Sequence, residues 1–173
     1  MRVSSCAASL LIAFSLGSMT DASARPQIEL VALADHYAPG TIIISQSARR
    51  LFLVEGEGAV RSYRVAVGKA GKSWLGLAHI NGKHVAPAWS PPADVKRDNP
   101  NLPNYIPGGV PQNPMGARAL TLDRAEIAIH GTSPTMRASI GRAASYGCIR
   151  MLNEDVIDLF ERVQIGTPVV ALP

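Results

Sequence analysis

Cysteine is nearly missing from this chain, with two residues in 173, Cys6 and Cys148. A disulfide framework is therefore excluded as the source of stability. Charged residues reach only 17%, below the usual quarter, which disfavours coiled coils and long solvated helices. Lysine and arginine form no dense run and no strip interleaved with aromatics, so a nucleic-acid partner is not expected. No apolar stretch reaches the roughly 20 residues that span a bilayer. Internal repeats and low-complexity tracts are absent as well. What is present is a 47% apolar content, which excludes whole-chain disorder, and a length suited to one domain plus a targeting segment. The 13 prolines and 15 glycines are well spread, which favours short strands joined by turns over a helical fold.

The N-terminus has the three parts of a secretory signal in order. Arg2 precedes an apolar run from Ala7 to Leu16, and small residues lead to Ala22-Ser23-Ala24. Cleavage is expected after Ala24, giving residues 1–24 as signal peptide, 25–39 as an extended lead-in and 40–173 as the domain. No lipid-attachment motif surrounds Cys6. The product would be exported to the periplasm or cell wall without a membrane span. Cys148 would then be a lone thiol in an oxidising compartment, which calls for intermolecular pairing or a reactive role. The formal charge of +4 survives cleavage, because Arg2 and Asp21 leave together, and it favours an anionic surface such as wall polymer.

Strand-like runs cover 41–46, 50–54 and 60–67, an opening meander. Asn81-Gly82 predicts a type I′ hairpin placing His79 opposite His84, two ordinary half-exposed histidines with no third metal ligand nearby. Residues 87–114 hold eight prolines, which excludes a central strand or long helix there and suggests a binding loop. Trp89 and Tyr105 in that loop would either contact a ligand or pin the loop to the core. Strands follow at 119–122 and 127–129 around a turn at Asp123-Arg124. Val156, Leu159, Phe160 and Val163 form the apolar face of a helix with Asn153 as N-cap and Gly166 beyond its end, before a last strand at 167–172.

The chemistry-bearing stretch is His130-Gly131-Thr132 followed by Ser145-Tyr146-Gly147-Cys148-Ile149-Arg150. A thiol needs deprotonation to act as a nucleophile, and an imidazole within reach supplies the base. Gly147 permits a tight turn at the sulfur, so that N–H groups converge on a developing oxyanion, and Arg150 suits a substrate carboxylate. Singly, each residue has a plain structural reading: a buried thiol, a core histidine, a turn glycine and a surface charge. Together, on a chain without another mature thiol, they favour catalysis.

These residues resemble the HGT…SxGCxR signature of the L,D-transpeptidase catalytic domain (YkuD family), and the resemblance extends over roughly residues 40–172. It implies a mainly β fold, a β-sandwich or open barrel with a Pro-rich capping loop and a short C-terminal helix. It also implies that Cys148 acylates on a peptidoglycan stem peptide, releasing D-alanine. An acceptor amine, on a second stem or on a wall-anchored protein, then resolves the thioester. In the roles so implied, His130 is the base and the Gly131 carbonyl orients it. Gly147 and Cys148 amides face the oxyanion, Arg150 holds a carboxylate, Ser145 supports the turn, and Tyr146 and Trp89 contact substrate. No metal or cofactor is required. Two departures stand out: Tyr146 where many members have histidine, and Ala70-Gly71-Lys72-Ser73-Trp74-Leu75-Gly76 where most have Thr-Pro-x-Gly, which bears on donor specificity. The same scaffold also admits a carboxypeptidase, an endopeptidase, a wall-protein-releasing hydrolase or a non-catalytic wall-binding domain.

Overall fold

The computed structural model describes residues 36–56 and 58–173, so the expected signal peptide at 1–24 and most of the expected lead-in at 25–39 lie outside the described residues. The chain folds as expected into a mainly β structure. Strands β1 (Ile42–Ser45), β2 (Arg50–Gly56) and β3 (Ala59–Arg64) form the meander. They continue through β10 (Pro168–Leu172), β5 (Gly76–Val85), β6 (Arg118–Leu122), β7 (Ala128–His130) and β9 (Ile149–Arg150) into one open eight-stranded sheet, ordered β3-β2-β1-β10-β5-β6-β7-β9. A second, two-stranded element joins β4 (Val67–Gly68) to β8 (Ala143–Ser145). Two short α-helices, α1 (Ala93–Asp98) and α2 (Asn153–Arg162), and a 3-10 turn at Pro134–Ser139 complete the described chain.

β1 is almost wholly β-branched, Ile42-Ile43-Ile44, and all three side chains are fully buried. Such side chains suit a central strand flanked on both sides. Indeed β1 pairs antiparallel with β2 and parallel with β10, the last strand of the chain. One large core contains Ile42, Ile44, Leu51, Ile80, Leu120, Ile129, Ile149 and Met151. Helix α2 buries Val156, Leu159 and Phe160 in the same core, as its 3.6-residue periodicity predicts, and packs on β6 and β7.

Three local expectations are corrected. Asn81-Gly82 is not a hairpin turn: β5 runs unbroken from Gly76 to Val85 and the pair lies where its register with β6 shifts, a bulge. Glycine suits the site because a Cβ at Gly82 would come within 2.6 Å of Thr121 Oγ1. His79 therefore does not face His84; it pairs with Asp123 at 3.1 Å while His84 meets Thr121 at 3.4 Å. The strand expected from 60 to 67 ends at Arg64, and Val67 restarts in the smaller sheet.

Asn153 is the third correction. It is the first residue of α2, not its cap, since Leu152 precedes the helix without a side-chain cap bond. Its carboxamide turns back instead. Oδ1 accepts from the Ala117 and Thr132 N–H groups, each at 3.0 Å, and Nδ2 donates to Thr132 O at 3.0 Å. It so ties the chain after β7 to the segment before β6.

The proline-rich segment 87–114 contains only the short α1, none of whose residues is buried. Prolines supply carbonyls without N–H donors, and buried Asn113 compensates. Its Nδ2 donates to Pro87 O at 2.9 Å and Pro107 O at 2.9 Å, closing the base of the loop.

Replacing Asn153 by Ala, which removes three hydrogen bonds, should cost about 2–3 kcal/mol in urea denaturation, against about 1 kcal/mol for a lost cap. Asn153→Ser, which retains capping ability, should not restore the stability; full rescue by serine would assign Asn153 to capping.

Candidate active site

Strands β7 and β9 are neighbours in parallel register, with Ile129 opposite Ile149 and His130 opposite Arg150. Both isoleucines are fully buried in the core. Alternation along a strand then sends His130, Arg150 and the residue just before β9, Cys148, to the opposite face. The 17 residues between His130 and Cys148 run out through the 3-10 turn and return along β8.

His130 is 4% exposed and its Nδ1 lies 2.8 Å from Gly131 O. A carbonyl only accepts, so Nδ1 carries the proton and Nε2 keeps its lone pair. Burial, reinforced by the Arg150 guanidinium, lowers the imidazole pKa to about 4, against the opposing pull of the Gly131 and Pro114 carbonyls. The ring is a neutral base at neutral pH. Its carbonyl partner depends on the loop that Asn153 organises: a Cβ on Gly131 would fall 2.2 Å from Asn153 Oδ1. Asn153 gave no sign of this role in the sequence, where its position before α2 read as a cap.

Cys148 is half-buried, and burial raises its thiol pKa above the usual value, opposed by the Ala128 N–H and the charge of Arg150. The thiol donates to Glu126 O at 3.4 Å. His130 and Cys148 thus share a face of adjacent strands, but no hydrogen bond joins sulfur and imidazole. Arg150 acts on both groups in one sense, favouring a thiolate and disfavouring an imidazolium.

The turn before Cys148 is tightly held. Ser145 Oγ accepts from Gly147 N–H at 3.1 Å and donates to Cys148 O at 2.6 Å. Trp74, 9% exposed, donates its indole N–H to Gly147 O at 3.1 Å. Gly147 has φ +124°, and a Cβ there would come 2.7 Å from Ile127 Cδ1 and 3.2 Å from Lys72 O, so only glycine fits. The Gly147 amide, expected to face an oxyanion, is instead committed to Ser145. The Cys148 amide has no hydrogen-bond partner among the described residues.

Cys148 lies on the wall of a cleft of about 760 Å³. Trp89 and Pro91–Ala93 of the proline-rich segment line one side, and the turn from Asp123 to Ile127 lines the other. Trp89 also exchanges backbone hydrogen bonds with Ile106, so it pins the loop and lines the cleft. Tyr105 is 60% exposed and is not among the lining residues. Tyr146 does not line the cleft either; its hydroxyl donates to Asp98 Oδ2 at 2.7 Å and the Lys69 ammonium stands 3.7 Å from its ring centre. It fastens α1 to the turn before Cys148. Arg150, expected to clamp a substrate carboxylate, is only 8% exposed and donates to Ser139 Oγ at 2.7 Å. Its reach is to Cys148 and His130 rather than to the cleft. Among the described residues, no three His, Cys, Asp or Glu side chains are grouped to hold a metal ion.

The chain is similar to known proteins over most of its length. The YkuD family, described as the L,D-transpeptidase catalytic domain, matches residues 39–170. YbiS of Escherichia coli (strain K12), named a probable L,D-transpeptidase, is 34% identical over 145 residues, which cover 79% of this chain and 45% of YbiS. A YkuD protein of Bacillus licheniformis is 36% identical over 135 residues, 78% of this chain and 67% of that protein. The chain therefore spans about half the length of curated relatives such as YbiS. In fold it is similar to an L,D-transpeptidase from Mycobacterium smegmatis, with a TM-score of 0.60 at 17% identity, covering 77% of this chain and 58% of that one. With the family matched across most of its length, and a histidine and a cysteine set on adjoining strands beside a cleft, this chain belongs to the L,D-transpeptidase catalytic-domain family.

Proposed function

We propose that this protein is an exported L,D-transpeptidase acting on peptidoglycan stem peptides, with Cys148 as nucleophile and His130 as general base. The observation that carries this reading is a half-buried thiol on the wall of a cleft, beside a buried imidazole whose free lone pair is set by Gly131. A stem peptide enters the cleft between Trp89 and the Asp123–Ile127 turn. The thiol exchanges its contact with Glu126 O for His130 Nε2, which takes the proton as sulfur attacks the carbonyl of the third stem residue. The C–S bond forms, the carbonyl electrons move to oxygen, and the negative oxygen meets the Cys148 N–H. Collapse breaks the peptide bond; Nε2 returns its proton to the departing amine of D-alanine. The resulting thioester is then attacked by an acceptor amine, from another stem or a wall-anchored protein, and sulfur leaves as the thiol. Arg150 steadies the transient thiolate.

Purified Cys148→Ala should lose D-alanine exchange on a tetrapeptide while keeping its fold by circular dichroism; retained exchange would reject Cys148 as nucleophile. His130→Ala should slow acylation by about 10²-fold or more. Mass spectrometry of muropeptide products reads transfer as new dimers and hydrolysis as tripeptides without dimers.

The resting pair is neutral, because burial raises the thiol and lowers the imidazole. Alkylation of Cys148 by iodoacetamide should therefore rise with pH through pH 8 without levelling, as thiolate accumulates. A plateau reached near pH 6 would instead mean a preformed thiolate–imidazolium pair.

A further inference from the structure

We infer that Trp74 is a positioning residue that aims the oxyanion donor; the inference rests on Cys148 being the nucleophile. The Gly147-Cys148 segment has four backbone polar groups near the sulfur. Ser145 Oγ takes two of them, the Gly147 N–H and the Cys148 carbonyl. The indole N–H of Trp74 takes the third, the Gly147 carbonyl, at 3.1 Å. Only the Cys148 N–H has no partner among the described residues.

The peptide unit joining Gly147 to Cys148 is planar and trans, so its C=O and N–H point in opposite directions. Holding the carbonyl therefore aims the amide. A bond to Trp74 on one side turns the Cys148 N–H to the other, where a carbonyl attacked by Sγ develops its charge. Gly147 needs this restraint more than another residue would, since glycine has the widest choice of backbone angles and here sits at φ +124°.

The indole is itself fixed. The Arg124 guanidinium lies 4.8 Å from its ring centre on the cleft side, and Gln46 Nε2 donates to the Trp74 carbonyl at 3.2 Å. Trp74 lies in the 70–76 segment, where this chain departs from the usual Thr-Pro-x-Gly pattern. That segment reaches the chemistry through the peptide of the nucleophile, a route separate from any contact with donor.

Two reactions of the same thiol separate this role from general support. Ring opening of a carbapenem forms a C–S bond, breaks the lactam C–N bond with protonation of nitrogen, and passes through an oxyanion. Alkylation by iodoacetamide displaces iodide at a saturated carbon and forms none. Trp74→Phe keeps a ring and removes the donor. A variant carrying benzothienylalanine at 74 keeps the full indole shape with sulfur in place of N–H, should phenylalanine unsettle the fold. The variant that folds should acylate about tenfold or more slowly with carbapenem, while its alkylation rate stays within about twofold of the parent. With a tetrapeptide donor, kcat should fall and KM stay. Equal slowing of both reactions, or slowing of neither, overturns the proposal. Failure of the parent protein to be acylated at all, with alkylation intact, would overturn the nucleophile assignment itself.

Discussion

A parallel pairing two residues long holds the site together. Where β7 meets β9, Ile129 and Ile149 enter the core side by side, and that burial sends His130 and Cys148 to the other face. Neither residue can shift by one position without turning an isoleucine out of the core and a polar group into it. The register is thus protected by apolar burial, worth about 1.5–3 kcal/mol per side chain, rather than by any contact between sulfur and imidazole.

Around that pairing, the polar groups answer to one another. Gly131 O accepts a hydrogen bond from His130 Nδ1–H, and Asn153 holds the loop that carries this carbonyl. Arg150 lies close enough to influence both Cys148 and His130, and its Nε is buried without a partner among the described residues. A charge kept in such a place costs desolvation. The return is electrostatic: a cation there lowers the energy of a thiolate at Cys148 and raises that of an imidazolium at His130, which favours the neutral ring. The surrounding burial pulls the thiol the other way, and the resting state is protonated sulfur beside a ready lone pair.

The proline-rich segment closes one side of the cleft with little apolar anchoring of its helix. Helix α1 is held through exposed or half-exposed charges: Tyr146 and Lys69 on Asp98, Lys72 on Asp94. Such contacts contribute little each and are screened by salt. Asn113, by contrast, is buried and fixes the base of the loop. The wall of the cleft is consequently firm at its root and lightly fastened over the turn where Tyr146 directly precedes Gly147 and Cys148.

Much of this was legible in the residue order. Periodicity located the meander, the apolar face of α2 and the last strand, because burial of alternating or 3.6-spaced side chains is a local property of the chain. The His130-Gly131-Thr132 and Ser145 to Arg150 stretches marked the candidate site, since a thiol and an imidazole are chemically conspicuous. Other features depended on neighbours distant in sequence. Asn81-Gly82 has the composition of a turn, but Thr121 and the bulge against β6 make it part of a strand. Asn153 has the chemistry of a cap, but two loops brought to it by folding claim its carboxamide first. Arg150 reads as a clamp until its neighbours bury it. Trp74 and Gly147 are 73 residues apart, and their hydrogen bond exists only because the sheet returns one to the other. Residue types and their periodicity determined which segments would be strands and which atoms could react. The direction of a carbonyl, the tautomer of a ring and the solvent around a charge were decided by tertiary packing, because each depends on groups the local chain cannot supply.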